Sequence, residues 1–539
     1  MAVNDAADIL SQAREAHAAH DWAGAASSFD AVEAERLNAD DLAAYADALW
    51  WLGRVEDTLR LMADACKAYV AESRPAEAAW MAMLLGVFHM GRGDEPQAMG
   101  WIGRAGRLLE ESPECPAHGL MVQVTNVEAS LQAGHPMAAV DAARRMQAIG
   151  SRVGEPAVVL LGVNCEGRAL IRAGQVVDGL ALLDEAMVAA LGSPLGPFMS
   201  GTLYCHTIAS CHEVADLRRM TRWTDLTEEW LSTLSAVGVF GGLCAVHRAQ
   251  LHVLRGAWEE AEDLALQVVA ELDAMRVDYA AEAWYVVGEA RRLRGDPTAG
   301  MAYTEAHARG RDPQPGRALL QRQRGDPVGA ATSVRTALAA AGDDPLRRAP
   351  LCAAAVQIAV STGRMEEEAR AAGSELVKTA AFFGTSGLEA MAAAARGGVL
   401  LGEGRAEEAL PVLRDACRRW HELGAEYDAA GTCVLLAHAY RALGDEVSAS
   451  AEGAQAEAAY ERLGVQQVAA KPPAGLSRRE CEVLALVAGG HSNRQIGERL
   501  FISDRTVARH LTNIFHKIGA TSRTQAARYA FDHGLTVTR

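Results

Sequence analysis

A short turn signature recurs through most of the chain at intervals close to forty residues, and it limits the fold more than any other feature. Each copy is a glycine, then a small or polar residue, then an alanine-rich amphipathic stretch. A glycine can adopt the positive φ that ends one helix, and the stretch after it can begin the next. The copies begin at Gly53, Gly93, Gly134, Gly174, Gly256, Gly295, Gly325, Gly363, Gly404 and Gly444.

Two intervals depart from the period. The interval from Gly174 to Gly256 is two periods long, which predicts a degenerate turn near Ala215 and Asp216. The interval before Gly325 is short, and the sequence RGRDPQPG at 309–316 marks the disruption. Because one helix hairpin cannot bury its apolar face alone, neighbouring hairpins must stack. The sequence therefore predicts an all-α fold, an α-solenoid of helix hairpins, with an irregular helical array as the alternative.

Composition agrees with helices and gives no sign of a metal or cofactor. Half of the residues are hydrophobic and only 5% are aromatic, so strong strand formers are scarce. The ten cysteines include no CxxC pair, which favours small buried side chains in a reducing compartment. The pairs Cys205-His206 and Cys211-His212 are six residues apart, a spacing that does not place them on one helical face. We expect no metal and no cofactor.

Charge is divided unevenly along the chain. The net charge of the whole chain is −17, yet residues 471–539 carry eleven basic and five acidic side chains. An acidic body with a basic tail predicts that nucleic acid binds at the tail alone. The N-terminal residues lack the pattern of a secretory signal, and no apolar run approaches the ~20 residues that span a bilayer. We expect a cytoplasmic protein without membrane contact.

The tail is predicted to form four short helices at 477–488, 492–500, 503–518 and 522–533. Ser477 and Glu480 have the spacing of a capping box, and Gly519 can end the third helix. The short link between the second and third helices is the spacing of a helix-turn-helix. One face of the third helix carries small, polar and cationic side chains that suit a major groove, namely Arg505, Ala508, Arg509, Thr512, Asn513 and His516.

The same segment resembles a known family. The stretch LSRRECEVLALVAGGHSNRQIGERLFISDRTVARHLTNIFHKIGATSRTQAA is similar to the LuxR/FixJ-type DNA-binding domain, with Thr506-Val507, His510 and Ile514 among the matching positions. The repeats resemble tetratricopeptide repeats, in the lengthened form of large LuxR-type regulators. The resemblance implies a bacterial, sequence-specific transcription regulator that binds double-stranded DNA. Where the family often has Lys or Arg after the Thr-Val pair, this chain has Ala508, and the contact is expected to move to Arg509.

Roles at the interface are predicted from physical type. Arginine can bind guanine O6 and N7 in bidentate fashion, so side chains on the groove-facing side are candidates for base contacts. The predicted base contacts are Arg509, Thr512, Ala508 and Asn513. The predicted phosphate contacts are Asn493, Arg494, Ser503, Arg505, Thr506 and Lys517. Alternatives stay open: Arg494 and Lys517 as plain solvated charges, Ser503 and Thr506 as helix-start residues only, and His510 in local packing.

The family resemblance also implies a homodimer formed through the fourth helix. Small side chains at Ala526, Ala527 and Ala530 would permit two copies of that helix to approach closely. The predicted domains are a helical-repeat domain at 1–465, a linker at 466–475 that contains two prolines and a glycine, and a DNA-binding domain at 476–539.

The repeat domain carries no catalytic motif. The phosphate-binding pattern G-x-x-x-x-G-K-[ST] is absent, as are G-x-S-x-G and H-E-x-x-H, so we expect no enzyme. Large residues in its middle are expected either to fill the core or to line a pocket on the concave side. The candidate pocket residues are Tyr204, His206, His212, Trp223, Trp230, His247 and Trp284.

Two functions are compatible with the sequence of the whole chain. The first is a transcription regulator whose repeat domain senses a small-molecule effector or a protein partner such as RNA polymerase. The second is a repeat-type interaction scaffold whose terminal helix-turn-helix docks protein rather than DNA. The basic residues on the third helix favour the first.

Overall fold

The computed structural model describes most of the chain, and the described residues fold into helices with no β-strand among them. The predicted linker at 466–475 and the turn residue Phe501 lie outside the described residues. The described ranges are 2–192, 195–362, 366–465, 476–500 and 502–532.

Contacts between Cα atoms divide the chain into two compact units. The first comprises residues 1–317 and 331–465, and the second comprises residues 318–330 and 466–539. The grouping of 318–330 with the C-terminal residues has no counterpart in the sequence pattern. The domain boundaries given above stay a prediction.

The first unit is a succession of helices, joined by short turns. Its helices are α1 (Ala2–Ala18), α2 (Trp22–Asp30), α3 (Ala39–Trp51), α4 (Val55–Ala71), α5 (Pro75–Met90), α6 (Glu95–Glu110), α7 (Pro116–Val122), α8 (Ala129–Gln132), α9 (Pro136–Val153), α10 (Pro156–Arg172), α11 (Val176–Gly192), α12 (Pro197–Glu213), α13 (Leu217–Leu231), α14 (Gly238–Arg255), α15 (Trp258–Met275), α16 (Ala280–Arg294), α17 (Ala299–Ala308), α20 (Pro345–Thr362), α21 (Glu366–Phe383), α22 (Ser386–Gly402), α23 (Ala406–Leu423), α24 (Glu426–Ala442) and α25 (Glu446–Arg462), while α18 (Gly316–Gln323) and α19 (Pro327–Ala340) cross the division between the units.

The repeat turns lie where the sequence predicts them. The predicted turn glycines within the described residues have φ between +68° and +82°, and each separates two helices. Gly363, the remaining one, lies outside the described residues. The predicted degenerate turn is confirmed at Ala215, whose φ is +53° between α12 and α13. The all-α fold of stacked, tetratricopeptide-like hairpins is confirmed, because consecutive helices such as α3 and α4, or α22 and α23, pack against each other.

A small number of aromatic side chains fill the core between many alanines. Trp22, Trp51 and Trp258 are each at most 2% exposed, and the rings of Trp22 and Trp51 stack with centroids 5.6 Å apart. Many of the other buried residues are alanines, whose small side chains let helix axes approach closely, so few large side chains suffice to fill the space. This explains how a chain with 5% aromatic residues closes a core of this length.

Helices many repeats apart in sequence also contact each other in the first unit. The hydroxyl of Ser235 donates to the carbonyl oxygen of His20 at 2.6 Å, across 215 residues. Arg172 Nη1 donates to Asp344 Oδ2 at 2.8 Å, across 172 residues. The solenoid is therefore held by contacts between distant repeats as well as between neighbours; we call these the long-range contacts.

Across the described residues, no helix combines the length and the hydropathy needed to cross a membrane. Within the same ranges, no three His, Cys, Asp or Glu side chains are placed to hold a metal ion, and this includes the Cys205-His206 and Cys211-His212 pairs.

The second unit contains four helices of the chain's tail: α26 (Arg478–Ala488), α27 (Asn493–Leu500), α28 (Asp504–Ile518) and α29 (Arg523–Asp532). Their number and order agree with the sequence analysis, and each begins one residue after the predicted start. The difference has a simple cause, since Ser477, Ser492 and Ser503 are caps whose backbone is not yet helical.

Candidate nucleic-acid interface

The starts of the tail helices are fixed by side-chain caps. The hydroxyl of Ser477 accepts from the amide of Glu480 at 3.2 Å, and the Glu480 carboxylate accepts from the Ser477 amide at 2.6 Å. This is the predicted capping box. Ser503 Oγ accepts from the Thr506 amide at 3.1 Å and so starts α28. At its other end, Gly519 adopts a φ of +67° and stops the helix, as predicted.

A compact apolar core holds α26, α27, α28 and α29 together. Ile496 of α27, Val507 and Ile514 of α28, and Val483 and Leu484 of α26 are fully buried in it. These side chains recur every three to four residues along one side of each helix, as an amphipathic helix requires. The core therefore fixes which side of α28 faces outward.

The outward side of α28 carries the polar and cationic side chains that the sequence places there. Thr512 bonds back to its own helix, with Oγ1 donating to the Ala508 carbonyl at 3.1 Å. The small side chains at Ala508 and Thr512 leave room on either side of Arg509, so that a flat surface could approach the helix. We call this set the groove face, and its members are all exposed: Arg505, Ala508, Arg509, Thr512, Asn513 and His516.

Gly497 sets the distance between α27 and α28. A Cβ at this position would lie 2.7 Å from the carbonyl oxygen of Ile502, closer than backbone atoms tolerate. The Gly497 carbonyl in turn accepts from the Ile502 amide at 3.0 Å. Gly497 is not among the interface residues predicted from the sequence. The sequence does contain a signal for this role, because a glycine inside an eight-residue helix lowers helical stability and so needs another reason to be there.

A depression of about 550 Å³ opens where α27 meets the start of α28. Two of the predicted phosphate contacts, Arg494 and Ser503, line it. The side chain of Arg494 is 81% exposed and lies 3.1 Å from Glu498, a pairing that costs little to break in water. Arg494 can therefore turn to an incoming anion. The lining residues are Arg494, Gly497, Glu498, Ile502, Ser503 and Asp504.

Other predicted phosphate contacts have partners inside the unit. Asn493 Oδ1 accepts from Arg523 Nη1 at 2.9 Å, so its amide is held by α29. Ser503 and Thr506 share a hydroxyl contact of 2.8 Å at the start of α28. Asn493 is therefore held in place by α29, whereas Arg505 is exposed. The phosphate roles stay a prediction.

Lys517 is engaged in an internal ion pair. Its Nζ lies 2.7 Å from Oε2 of Glu480, whose side chain is only 5% exposed. Burial acts to raise the pKa of the Glu480 carboxyl, but the Lys517 ammonium and the hydrogen bonds from Ser477 outweigh it, and the pKa lies below its ordinary value. The pair ties the end of α28 to the start of α26.

The predicted dimer contact needs a correction. Ala526 and Ala530 are 0% exposed and lie in the core of this unit, against α26. Their small side chains permit α29 to approach α26, rather than a second copy. Of the three predicted alanines, Ala527 alone is partly exposed.

In the repeat unit, several of the candidate pocket residues make identifiable side-chain contacts. The ring of Tyr204 meets that of Trp230 edge to face, with centroids 4.9 Å apart. Trp223 donates from Nε1 to Asp184 at 2.9 Å. His247 Nδ1 lies 3.1 Å from Gln250 Oε1, and burial lowers the pKa of His247 to about 4.

Three members of the predicted pocket carry buried polar atoms without a hydrogen-bond partner among the described residues: Tyr204 Oη, His206 Nδ1 and Trp284 Nε1. Burial, with the nearby Arg168 guanidinium, lowers the pKa of His206 to about 3. His212 is exposed at the end of α12. Two cavities of about 550 Å³ in the repeat unit lie elsewhere, one beside Glu56 and Trp101 and one beside Arg348 and Phe382.

With this geometry established, comparison with known proteins settles the nature of the tail. Residues 474–530 match the family described as "Bacterial regulatory proteins, luxR family". The tail is a LuxR-family helix-turn-helix domain. A transcriptional regulatory protein, DegU of Brevibacillus brevis, is 44% identical over 78 residues, which are 14% of this chain and 33% of that protein. Another, LiaR of Bacillus subtilis (strain 168), is 48% identical over 66 residues, 12% of this chain and 31% of that protein.

The chain thus spans about a third of the length of the curated relatives that it matches. Among solved structures, the Cut9-Hcn1 hetero-tetramer of the APC/C aligns with a TM-score of 0.37 at 12% identity, over 85% of this chain and 95% of that chain. Yeast Tom70 aligns with a TM-score of 0.35 at 10% identity, over 84% of this chain and 99% of that chain. Scores this low carry no argument about the repeat unit.

Proposed function

We propose that the protein is a sequence-specific, DNA-binding transcription regulator that uses the groove face of α28 to read the major groove. The single observation that carries this proposal is the exposed row on α28, in which two arginines alternate with small and polar side chains on a rigid helix. Its support is the LuxR-family match of the same residues and the names of the relatives as transcriptional regulators. The whole chain has a net charge of −17, so general electrostatic attraction between the protein and DNA would not by itself explain DNA binding.

Within this proposal, base and phosphate contacts divide by position. Arg509 and Thr512, with Ala508 and Asn513 beside them, are proposed to contact base edges. A second set at the rim is proposed to contact phosphates. Lys517, whose ammonium pairs with Glu480, is included in that set. That set comprises Asn493, Arg494, Ser503, Arg505, Thr506 and Lys517.

Salt dependence of binding tests this proposal against the rival scaffold function. We expect the affinity of the full chain for duplex DNA to fall linearly with ionic strength on logarithmic axes, because bound cations are released. Arg494→Ala should lower that slope by about 1 and weaken all sequences alike. Fluorescence anisotropy over a salt series measures both.

A matched control is Arg462→Ala, which removes an exposed arginine of the repeat unit and should leave the slope unchanged. If the wild-type chain shows no salt-dependent binding to genomic fragments, the DNA-binding proposal fails and protein docking by α28 is favoured.

Footprinting in the same series tests the homodimer, which predicts two half-sites about one helical turn apart. Such a dimer would use the exposed side of α29 around Ala527.

We further propose that the repeat unit senses a small polar effector or a protein partner, RNA polymerase included. The unpaired buried atoms of Tyr204, His206 and Trp284 support a polar ligand, since a buried donor or acceptor without a partner costs about 1–3 kcal/mol. A ligand with complementary donors and acceptors would recover that cost. The remaining proposed lining, His212, Trp223, Trp230 and His247, would contribute shape and aromatic contact.

A thermal-shift screen with polar metabolites tests ligand sensing. A ligand at a hundred times its Kd should stabilise the repeat unit by about 2.7 kcal/mol. His206→Ala should abolish the shift, whereas His135→Ala, at an exposed histidine of the same unit, should retain it. A shift that survives His206→Ala would place the ligand elsewhere, and the cavity beside Glu56 would be the next candidate.

A further inference from the structure

Two cysteines of the repeat unit face each other across neighbouring helices. Cys417 lies on α23 and Cys433 on α24, and their Sγ atoms are 3.6 Å apart. Cys417 is partly exposed, whereas Cys433 is 1% exposed. A disulfide needs sulfur atoms about 2.0 Å apart, so a modest rotation of side chains on two packed helices would close the bond. A partly exposed thiol can react with an oxidant, and a second thiol next to it can then form a disulfide with it. This is the usual arrangement of a redox-sensing cysteine pair.

The surroundings favour Cys417 as the sulfur that reacts first. The hydrogen-bond contact with Cys433, together with the nearby His421, lowers the pKa of Cys417 to about 6 despite burial. The same contact, with burial, raises the pKa of Cys433. Glu452 of α25 acts to raise the pKa of both thiols, and at Cys417 it opposes the effect of His421. Cys417 is therefore the more readily ionised of the two thiols.

We propose that Cys417 and Cys433 form a reversible thiol–disulfide site that responds to peroxide. In the first step the Cys417 thiolate attacks one oxygen of the peroxide, so that an S–O bond forms and the O–O bond breaks. The other oxygen leaves as hydroxide, which takes up a proton and becomes water. In the second step Cys433, on losing its proton, attacks the sulfur of the sulfenic acid and water leaves. Overall, two thiols are oxidised by two electrons and one peroxide is reduced to two waters. A dithiol reductant reverses the change.

A second close pair offers an internal comparison. Cys205 on α12 and Cys244 on α14 are near enough that Cys205, together with burial, raises the pKa of Cys244. Cys244 is 7% exposed. No histidine is among the groups that act on that thiol. The 417–433 pair should therefore oxidise at lower peroxide concentrations.

The test is a hydrogen peroxide titration of the full chain, followed by thiol blocking and mass spectrometry. Trypsin would leave the two cysteines in separate peptides, Asp415–Arg418 and Trp420–Arg441. At the lowest effective peroxide concentration we expect these peptides to be joined, with a loss of about 2 Da, and to separate again in dithiothreitol. Cys205→Ser, the matched control, should leave the joined peptide unchanged.

Cys433→Ser should replace the disulfide by a sulfenic acid at Cys417 that dimedone traps. Cys417→Ser should leave neither product in these peptides. If the joined peptide is absent at peroxide concentrations that oxidise other thiols of the folded chain, the proposal is overturned. Joining that persists after dithiothreitol treatment of the native protein would overturn its reversibility. Neither result depends on DNA binding, so failure here is distinct from failure of the proposed function.

Discussion

Replacing Arg509 by alanine is expected to weaken binding to a cognate site by about 5- to 150-fold, a loss of about 1–3 kcal/mol. Arg509 is exposed at the centre of the groove face, between the small side chains of Ala508 and Thr512. A guanidinium there can bind guanine O6 and N7 together, and alanine keeps neither bond. Anisotropy with the cognate duplex and its single-base variants would measure the loss.

The variants separate base reading from general attraction. Arg509→Ala should relax discrimination at one base pair, whereas Arg494→Ala should weaken every duplex equally. Arg509→Lys should restore attraction but not discrimination, because an ammonium lacks the planar fork of a guanidinium. Should Arg509→Ala bind the cognate and random duplexes with wild-type affinities, the assignment of α28 as the reading helix would be wrong.

Replacing Lys517 by methionine is expected to destabilise the LuxR-family domain by about 3 kcal/mol, since removal of one partner strands a buried charge. Glu480 is that charge: its side chain is 5% exposed and its pair with Lys517 joins α28 to α26. Methionine retains most of the apolar stem and removes the ammonium. Hydrogen exchange of α26 and α28 amides in the full chain reports the change.

Acidification provides an independent check on the same pair. The folded pKa of Glu480 lies below its ordinary value of 4.5, so the stability that it contributes is complete above pH 4.5 and disappears as pH falls through the folded pKa. Lys517→Met should remove much of this acid sensitivity. Arg494→Ala, which breaks an exposed pair, should alter stability by less than about 0.5 kcal/mol. If Lys517→Met leaves exchange unchanged but lowers the salt slope of DNA binding, Lys517 is a phosphate contact and the ion pair is unimportant.

Local chemistry explains what could be predicted from sequence. Turn glycines such as Gly53 are evident because positive φ is costly for other residues, and their period defines the repeat. Ser477 and Glu480 predict a helix start because capping acts within four residues. The groove face follows from helical periodicity alone, once the buried side of α28 is recognised. The helical fold and the exposed surface of the interface are therefore accessible from spacing.

What could not be predicted depends on contacts between distant segments. Lys517 has the same appearance in sequence whether it faces a phosphate or Glu480, which lies 37 residues away. Ala526 and Ala530 are small for packing against α26, and a surface of small residues for a partner would look identical. The approach of Cys417 to Cys433 likewise depends on how α23 packs on α24. In each case, residue type is compatible with several neighbours, and only the fold selects one.

The long-range contacts change what the repeat unit can tolerate in evolution. An ordinary repeat array gains or loses a unit with little penalty, because each unit touches only the next. Here, deleting one forty-residue repeat between His20 and Ser235 would shift every later hairpin by one position against its distant partner. The pairs Arg172–Asp344 and Arg276–Glu56 fix that register at 172 and 220 residues. The number of repeats is therefore constrained, and the sequence must diverge by substitution while the number of repeats stays the same.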